Sequence, residues 1–249
     1  MNTYRVVIPA RYDSSRLPGK ALLPLAGKPM LQWVHERARS CAASEVIIAT
    51  DDERIANAAR SFGAEVAMTA RTHLSGTDRI AEVAAARGWA DADIVVNVQG
   101  DEPLIPPRVI DQVAELLAAN PRADIATLAA KIESLNDLSD PNIVKVACDA
   151  SGRALYFSRA PIPFNRDAPT TLSSASLRHV GIYAYRVAAL RKLATLPASR
   201  LELIEKLEQL RAIENGMEIR VALAVERPLA DVNTAADLER AERALMLSP

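Results

Sequence analysis

The sequence predicts an α/β fold, a Rossmann-like, mostly parallel sheet with helices on both faces. Two observations predict it. Strand-like and helical hydrophobic patterns alternate along the first half of the chain, the signature of parallel strands joined by crossover helices. The run Asp93 to Val98 is too continuously apolar for a strand with a wet face, and reads as the centre of a sheet covered on both sides.

The elements follow in order. Arg5 to Pro9 is the first strand, and a helix is expected over Pro29 to Cys41. A strand over Glu45 to Thr50, a helix over Glu53 to Phe62 and a strand over Ala64 to Met68 continue the alternation, as do a helix over Asp78 to Arg87 and the strand at Asp93. The next helix is opened by Pro106-Pro107, carries Val109, Ile110, Val113, Leu116 and Leu117 at helical spacing, and is closed by Asn120-Pro121. After a strand over Ile125 to Ala130 the chain turns polar from Glu133 to Asn142 and loop-like from Pro161 to Ser176, a departure from the parallel core. Leu177 to Arg186 is a strand with Leu177, His179, Gly181, Tyr183 and Tyr185 on one face. One long helix is expected over Leu201 to Asn215, stopped at Gly216, then a strand over Glu218 to Val225 and a final helix capped by Thr234-x-x-Asp237.

Composition bounds the function. Of 249 residues, 49% are hydrophobic and 24% charged, and the net charge is −1, which argues against a nucleic-acid binder because such proteins carry a basic excess. Cys41 and Cys148 form no C-x-x-C pair, so neither a disulfide framework nor a zinc site is suggested, and a cytoplasmic location fits. The apolar runs fall far short of a membrane span, and the N-terminus lacks a signal-peptide pattern.

The positive charge is local instead. Pro9-Ala10-Arg11-Tyr12-Asp13-Ser14-Ser15-Arg16-Leu17-Pro18-Gly19-Lys20 is a strand emptying into a cationic loop, at the strand end where open α/β sheets bind ligands. A plain turn needs neither three cations nor two hydroxyls, so a nucleotide triphosphate is the expected guest. The spacing is not that of a Walker A loop, and no G-x-G-x-x-G is present. Gln99-Gly100-Asp101 leaves the central strand into the same crevice, making Asp101 the first candidate for a Mg²⁺ ligand, because Mg²⁺ is commonly held by one or two carboxylates together with phosphate oxygens. Asn233 or Asp231 offers a second oxygen, and capping of the last helix explains that segment equally well. Ser75, ahead of a helix, reads first as an N-cap. Arg159, His179, Tyr183, Glu208 and Gln209 are scattered polar groups of the kind that read a polyhydroxylated, carboxylated ligand, and each has an ordinary structural use as well.

Along nearly its whole length the chain resembles the bacterial 3-deoxy-manno-octulosonate (Kdo) cytidylyltransferases. The resemblance is carried by I-P-A-R-Y-D-S-S-R-L-P-G-K from Ile8, A-T-D-D from Ala49, S-G-T-D-R from Ser75 and V-N-V-Q-G-D-E-P from Val96. It continues through A-L-Y-F-S-R-A-P-I-P from Ala154, L-R-H-V-G-I-Y-A-Y-R from Leu177 and L-E-Q-L-R from Leu207, and these last three point to the Kdo branch. The resemblance implies one nucleotidyltransferase domain over residues 1–249, of the nucleotide-diphospho-sugar transferase type, with residues 131–190 forming a sugar-binding and dimerisation subregion. It implies a Mg²⁺-dependent homodimer that joins CTP and Kdo into CMP-Kdo for lipopolysaccharide synthesis. Pro9, Ala10, Arg11, Arg16, Lys20, Ser75 and Gln99 would bind the nucleotide, with Lys20, Arg16 and Asp101 catalytic. Arg159, His179, Tyr183, Glu208 and Gln209 would surround the sugar acid, and Asp101 and Asn233 would hold the metal. Two other readings stand beside this one: activation of another acidic sugar, 8-amino-Kdo or a sialic acid, and a catalytically silent nucleotide-binding subunit. The silent reading is motivated by one departure. Where the family carries V-D-T-P-E-D-L, this chain has Val232-Asn233-Thr234-Ala235-Ala236-Asp237-Leu238, so an amide replaces a carboxylate and weaker Mg²⁺ binding is expected.

Overall fold

A computed structural model describes residues 3–13, 17–73, 75–226, 228 and 231–247. In chain order the elements are β1 (Tyr4–Ala10), a single 3₁₀ turn (Lys20–Leu22), β2 (Pro24–Leu25), β3 (Lys28–Pro29), α1 (Met30–Arg39), β4 (Glu45–Thr50), α2 (Glu53–Ser61), β5 (Glu65–Met68), α3 (Gly76–Ala86), β6 (Ile94–Asn97) and α4 (Pro107–Ala118). The second half comprises β7 (Ile125–Lys131), α5 (Leu135–Ser139), β8 (Lys145–Cys148), β9 (Ala154–Ser158), β10 (Leu177–Arg186), α6 (Val187–Thr195), α7 (Arg200–Glu205), α8 (Gln209–Glu214), β11 (Ile219–Leu223) and α9 (Ala235–Leu247).

The main sheet runs β11-β7-β10-β6-β1-β4-β5, with β8 and β9 attached beside β10. Strands β6, β1, β4 and β5 are parallel, and β10 is antiparallel to both its neighbours, β6 and β7. The apolar alternation places the core on both faces. Val6, Ile8 and Val96 point into one layer with α1 and α4, while Val7 and Val95 point into the other with Ile80 of α3 and Leu190 of α6. A third cluster, Leu25, Met30, Val232, Ala241 and Leu245, docks α9 against the β2–β3 ribbon and so brings the segment around Val232 back toward the first loop.

Connections leave β1 toward β4 on one side, with β6 on the other, so the carboxyl ends of β1 and β6 flank the point where strand order reverses. Ligands of open α/β sheets bind there. The two loops touch through backbone: a Cβ on Gly100 would stand 3.0 Å from the carbonyl oxygen of Pro9, a contact so tight that a side chain there would press the two loops apart.

Three features differ from the pattern expected of the sequence. The long helix over Leu201 to Asn215 is two helices, α7 and α8, because Lys206 takes a left-handed conformation (φ 55°) that ends the first. Helix α6 follows β10 without an intervening loop. Its N-cap, Arg186, makes no side-chain cap, so no start signal marks it. The β8–β9 hairpin is built around a buried Lys145, whose Nζ donates to the carbonyls of Asp140 (2.9 Å), Ile143 (2.6 Å) and Arg159 (2.6 Å). Those three acceptors are what make a buried ammonium tolerable.

Candidate active site

Two cavities lie at the switch point. The first, of about 300 Å³, is lined by Pro9, Ala10, Arg11, Asp13, Lys20, Gln99, Gly100, Asp101 and Asn233. Gly19, with φ 68° and the Tyr12 ring packed 3.2 Å from where a Cβ would be, turns the chain so that Lys20 begins the 3₁₀ turn facing inward. Its Nζ donates to Asp101 Oδ2 at 2.6 Å and to Asn233 Oδ1 at 3.1 Å. The Asn233 segment is held in place by the Val232 N–H, which donates to the Asp101 carbonyl at 3.0 Å, and by Asp237, whose carboxylate accepts from the N–H groups of Asn233 (3.0 Å) and Thr234 (2.8 Å).

Asp101 and Asn233 therefore aim two hard oxygen donors at one point, and an ammonium stands there as a surrogate cation. Among the described residues no three His, Cys, Asp or Glu side chains are grouped closely enough to hold a metal ion. A two-oxygen site completed by phosphate oxygens and water is what Mg²⁺ commonly uses, so these residues fit that ion. Asp231, the alternative second ligand, does not line the cavity, but burial and the charge of the nearby Asp101 push its carboxyl up. Arg16 lies outside the described residues.

The second cavity, of about 120 Å³, shares Gln99 with the first and continues it along β6 and β10. Tyr183, Glu208 and Gln209 line it together, as the resemblance implies, and so do Tyr185, from the same face of β10, and Thr77 and Asn97, to which the sequence assigns no site role. Burial raises the pKa of the Tyr183 phenol, keeping it protonated, and pushes the Glu208 carboxyl up. Glu208 opens in turn onto a wider cleft of about 850 Å³, which Ser75 lines. Ser75 is the N-cap of α3 in a capping box with Asp78 (3.1 and 3.3 Å), placed on the Glu208 side and not among the residues around Lys20.

His179 and Arg159 line neither of the two cavities. His179 packs 5.1 Å from the Tyr183 ring and edge-on to Phe157. Thr127 Oγ1 lies 2.7 Å from the Ile182 carbonyl, 3.1 Å from that of Val180 and 2.9 Å from His179 Nε2. A hydroxyl has one proton, spent on a carbonyl, so His179 Nε2–H donates to it and Nδ1 carries the lone pair. Desolvation drives the His179 pKa down to about 3, so the ring is neutral and serves as a hydrogen-bonding group, not a cation. Arg159 is tied to the Glu205 carbonyl through Nε (2.7 Å) and to the Pro141 carbonyl through Nη1 (2.7 Å).

Known proteins are similar to this chain over nearly its whole length. The family model described as Cytidylyltransferase matches residues 5–219. The 3-deoxy-manno-octulosonate cytidylyltransferase of Thioalkalivibrio sulfidiphilus is 53% identical, covering 98% of this chain and 99% of that protein. The enzyme of the same name from Pseudomonas syringae pv. tomato is 55% identical, covering 97% of this chain and 98% of that one. A solved structure of CMP:2-keto-3-deoxy-manno-octonic acid synthetase complexed with CTP superposes with a TM-score of 0.91 at 43% identity, over 98% of this chain and 99% of that one. A cytidylyltransferase from Leptospira borgpetersenii serovar Hardjo-bovis shares the fold, with a TM-score of 0.67 at 19% identity over 100% of this chain and 89% of that one.

Proposed function

The chain belongs to the cytidylyltransferase family, and from that premise and the geometry of the Lys20 cradle we propose that it transfers CMP from CTP to Kdo, giving CMP-Kdo and pyrophosphate. The observation that carries the reading is the convergence of Lys20, Asp101 and Asn233 where β1 and β6 end, joined through Gln99 to the cavity that Tyr183, Glu208 and Gln209 line. In the reaction the anomeric hydroxyl of the sugar acid attacks the α-phosphorus. The new O–P bond forms, the bond to the β-phosphate bridge breaks, pyrophosphate departs and the hydroxyl loses its proton.

Both partners are anions, so the site must supply positive charge and alignment before any acid or base. Lys20 and Arg11 supply fixed charge toward the triphosphate, and Gln99 sits at the junction where nucleotide and sugar meet. Asp101 and Asn233 would hold Mg²⁺, which when bound neutralises phosphate charge and lowers the pKa of the attacking hydroxyl. Tyr183, Glu208 and Gln209 orient the sugar. A dimerisation role for residues 131–190 within a homodimer belongs to the same reading and rests on the resemblance, since the exposed large hydrophobics lie both inside that subregion, at Leu155 and Phe164, and outside it, at Leu203 and Ile204. Free Cys41 and Cys148 accord with a cytoplasmic enzyme serving lipopolysaccharide synthesis. Among the described residues no helix is long and apolar enough to cross a membrane.

Incubation with Mg²⁺, CTP and Kdo tests the reading through release of pyrophosphate. Release with 8-amino-Kdo or a sialic acid but not with Kdo reassigns the sugar. CTP binding without turnover on any of them identifies a silent subunit.

Asn233 makes a separate prediction. An amide oxygen carries less charge than a carboxylate, so Asn233→Asp is expected to lower the Mg²⁺ concentration for half-maximal activity severalfold, measured in a Mg²⁺ titration at fixed CTP. An unchanged midpoint would confine Asn233 to its structural place at the start of α9.

A further inference from the structure

We propose that Asn97 is a specificity-determining residue of the sugar-acid cavity, which hydrogen-bonds one hydroxyl of the substrate. The proposal rests on the reading of the chain as a sugar-acid cytidylyltransferase and adds a residue to it.

Asn97 is the last residue of β6, after three apolar residues, Ile94, Val95 and Val96. A polar side chain ending a central buried strand is costly unless it has a partner. The antiparallel register sets Asn97 directly opposite Tyr183 of β10, so the two side chains stand on the same face of the sheet. Asn97 is only 3% exposed, and its Oδ1 makes no hydrogen bond among the described residues. The hydroxyl of Tyr183 is likewise buried without a hydrogen bond, as is Oε1 of Glu208, which has Arg211 Nη2 at 3.7 Å, beyond hydrogen-bond reach. All three residues line the same 120 Å³ cavity.

Buried polar groups are satisfied in the great majority of cases, and three exceptions on one cavity wall point to a guest that satisfies them. Asn97 Oδ1 is an acceptor and needs a donor. Tyr183 OH can donate or accept, and Glu208 Oε1 takes a donor when ionised. A polyhydroxylated ligand meets all three demands at once, because each of its hydroxyls both donates and accepts. A ligand lacking the hydroxyl opposite Asn97 would leave Oδ1 buried and unpaired, and that penalty is how a site rejects a deoxygenated analogue.

The test measures kcat/KM for Kdo and for a series of monodeoxy-Kdo analogues, each lacking one non-reacting hydroxyl, in the unmodified enzyme and in Asn97→Ala. For the unmodified enzyme one analogue is expected to fall about 30-fold below Kdo. In Asn97→Ala, Kdo falls to the level of that analogue, so this one gap closes while the gaps for the other analogues persist. KM for Kdo carries most of the loss, and calorimetric affinity for CTP is unchanged. Asn97→Leu, close in volume, serves if the alanine variant does not fold. The proposal is overturned if every gap persists in the variant, if the unmodified enzyme discriminates against no analogue, or if CTP affinity falls along with Kdo use. Absence of any turnover of Kdo by the unmodified enzyme would overturn the parent reading instead.

Discussion

Asp101→Asn is expected to lower turnover by about 30- to 1000-fold, equivalent to ~2–4 kcal/mol of transition-state stabilisation. Asp101 supplies the one formal negative charge of the two-oxygen pair that converges on Lys20 Nζ, since Asn233 contributes only a dipole. With the carboxylate gone, two neutral amide oxygens remain, a weak site for a hard dication that depends on charge as well as geometry. The fold should scarcely notice. Asp101 stands at a strand-end loop, its ion pair with Lys20 is partly open to solvent, and its structural contact is made by its carbonyl to the Val232 N–H, which the substitution leaves in place. Melting temperature should therefore stay within the shift that ~1 kcal/mol produces. Pyrophosphate release at saturating Mg²⁺, read beside a thermal melt, decides the matter. Near-native turnover removes Asp101 from the metal site, and a collapse of the melt means that the loss of activity says nothing about chemistry.

The site was legible in the sequence where its chemistry was written in consecutive residues. Lys20 and Asp101 sit in loops directly following apolar runs, and that position alone sends a side chain to the crevice of an α/β sheet. The parallel half of the sheet was legible for the same reason: strands β1, β4 and β6 and helix α4 announce themselves by period and by proline. What stayed hidden depends on long-range register or on an unmarked boundary. Asn97 reads as one polar residue in V-N-V-Q-G-D, and only its pairing with Tyr183, far along the chain, shows which face it takes. The break between α7 and α8 rests on a left-handed lysine, a conformation that no local residue preference announces. Ser75, ahead of a helix, carries the signal of an N-cap, and the capping box with Asp78 makes it one. Lys145 looks like a surface residue until three carbonyls from two loops are found around it. His179 illustrates a subtler gap: its place on the β10 face is legible in the period of two, but its neutrality follows only from burial, and its tautomer from the single proton of Thr127.

Lys20→Met is expected to split the behaviour of the site in two directions. The substitution keeps the aliphatic stem and removes the ammonium, which is mostly buried, with the side chain 14% exposed. In the complete reaction the lost charge-assisted contact to the triphosphate should cost ~1.5–3 kcal/mol, a fall of about 10- to 150-fold in kcat/KM for CTP. In the nucleotide-free protein the opposite is expected for the metal alone. There Lys20 Nζ occupies the point between Asp101 Oδ2 and Asn233 Oδ1, so its removal takes away a competing cation, and Mg²⁺ should bind the variant more tightly than the parent. Glu208→Gln provides the contrast. Its carboxyl lies in the second cavity, so it should raise KM for the sugar acid while leaving CTP affinity intact. Calorimetric titrations of CTP and of Mg²⁺ into each variant separate these effects. If CTP affinity collapses in Glu208→Gln as it does in Lys20→Met, nucleotide and sugar are not divided between the two cavities. If Mg²⁺ binds the nucleotide-free Lys20→Met protein no better than the parent, the ammonium does not stand where the metal goes, and Asp101 and Asn233 serve Lys20 alone.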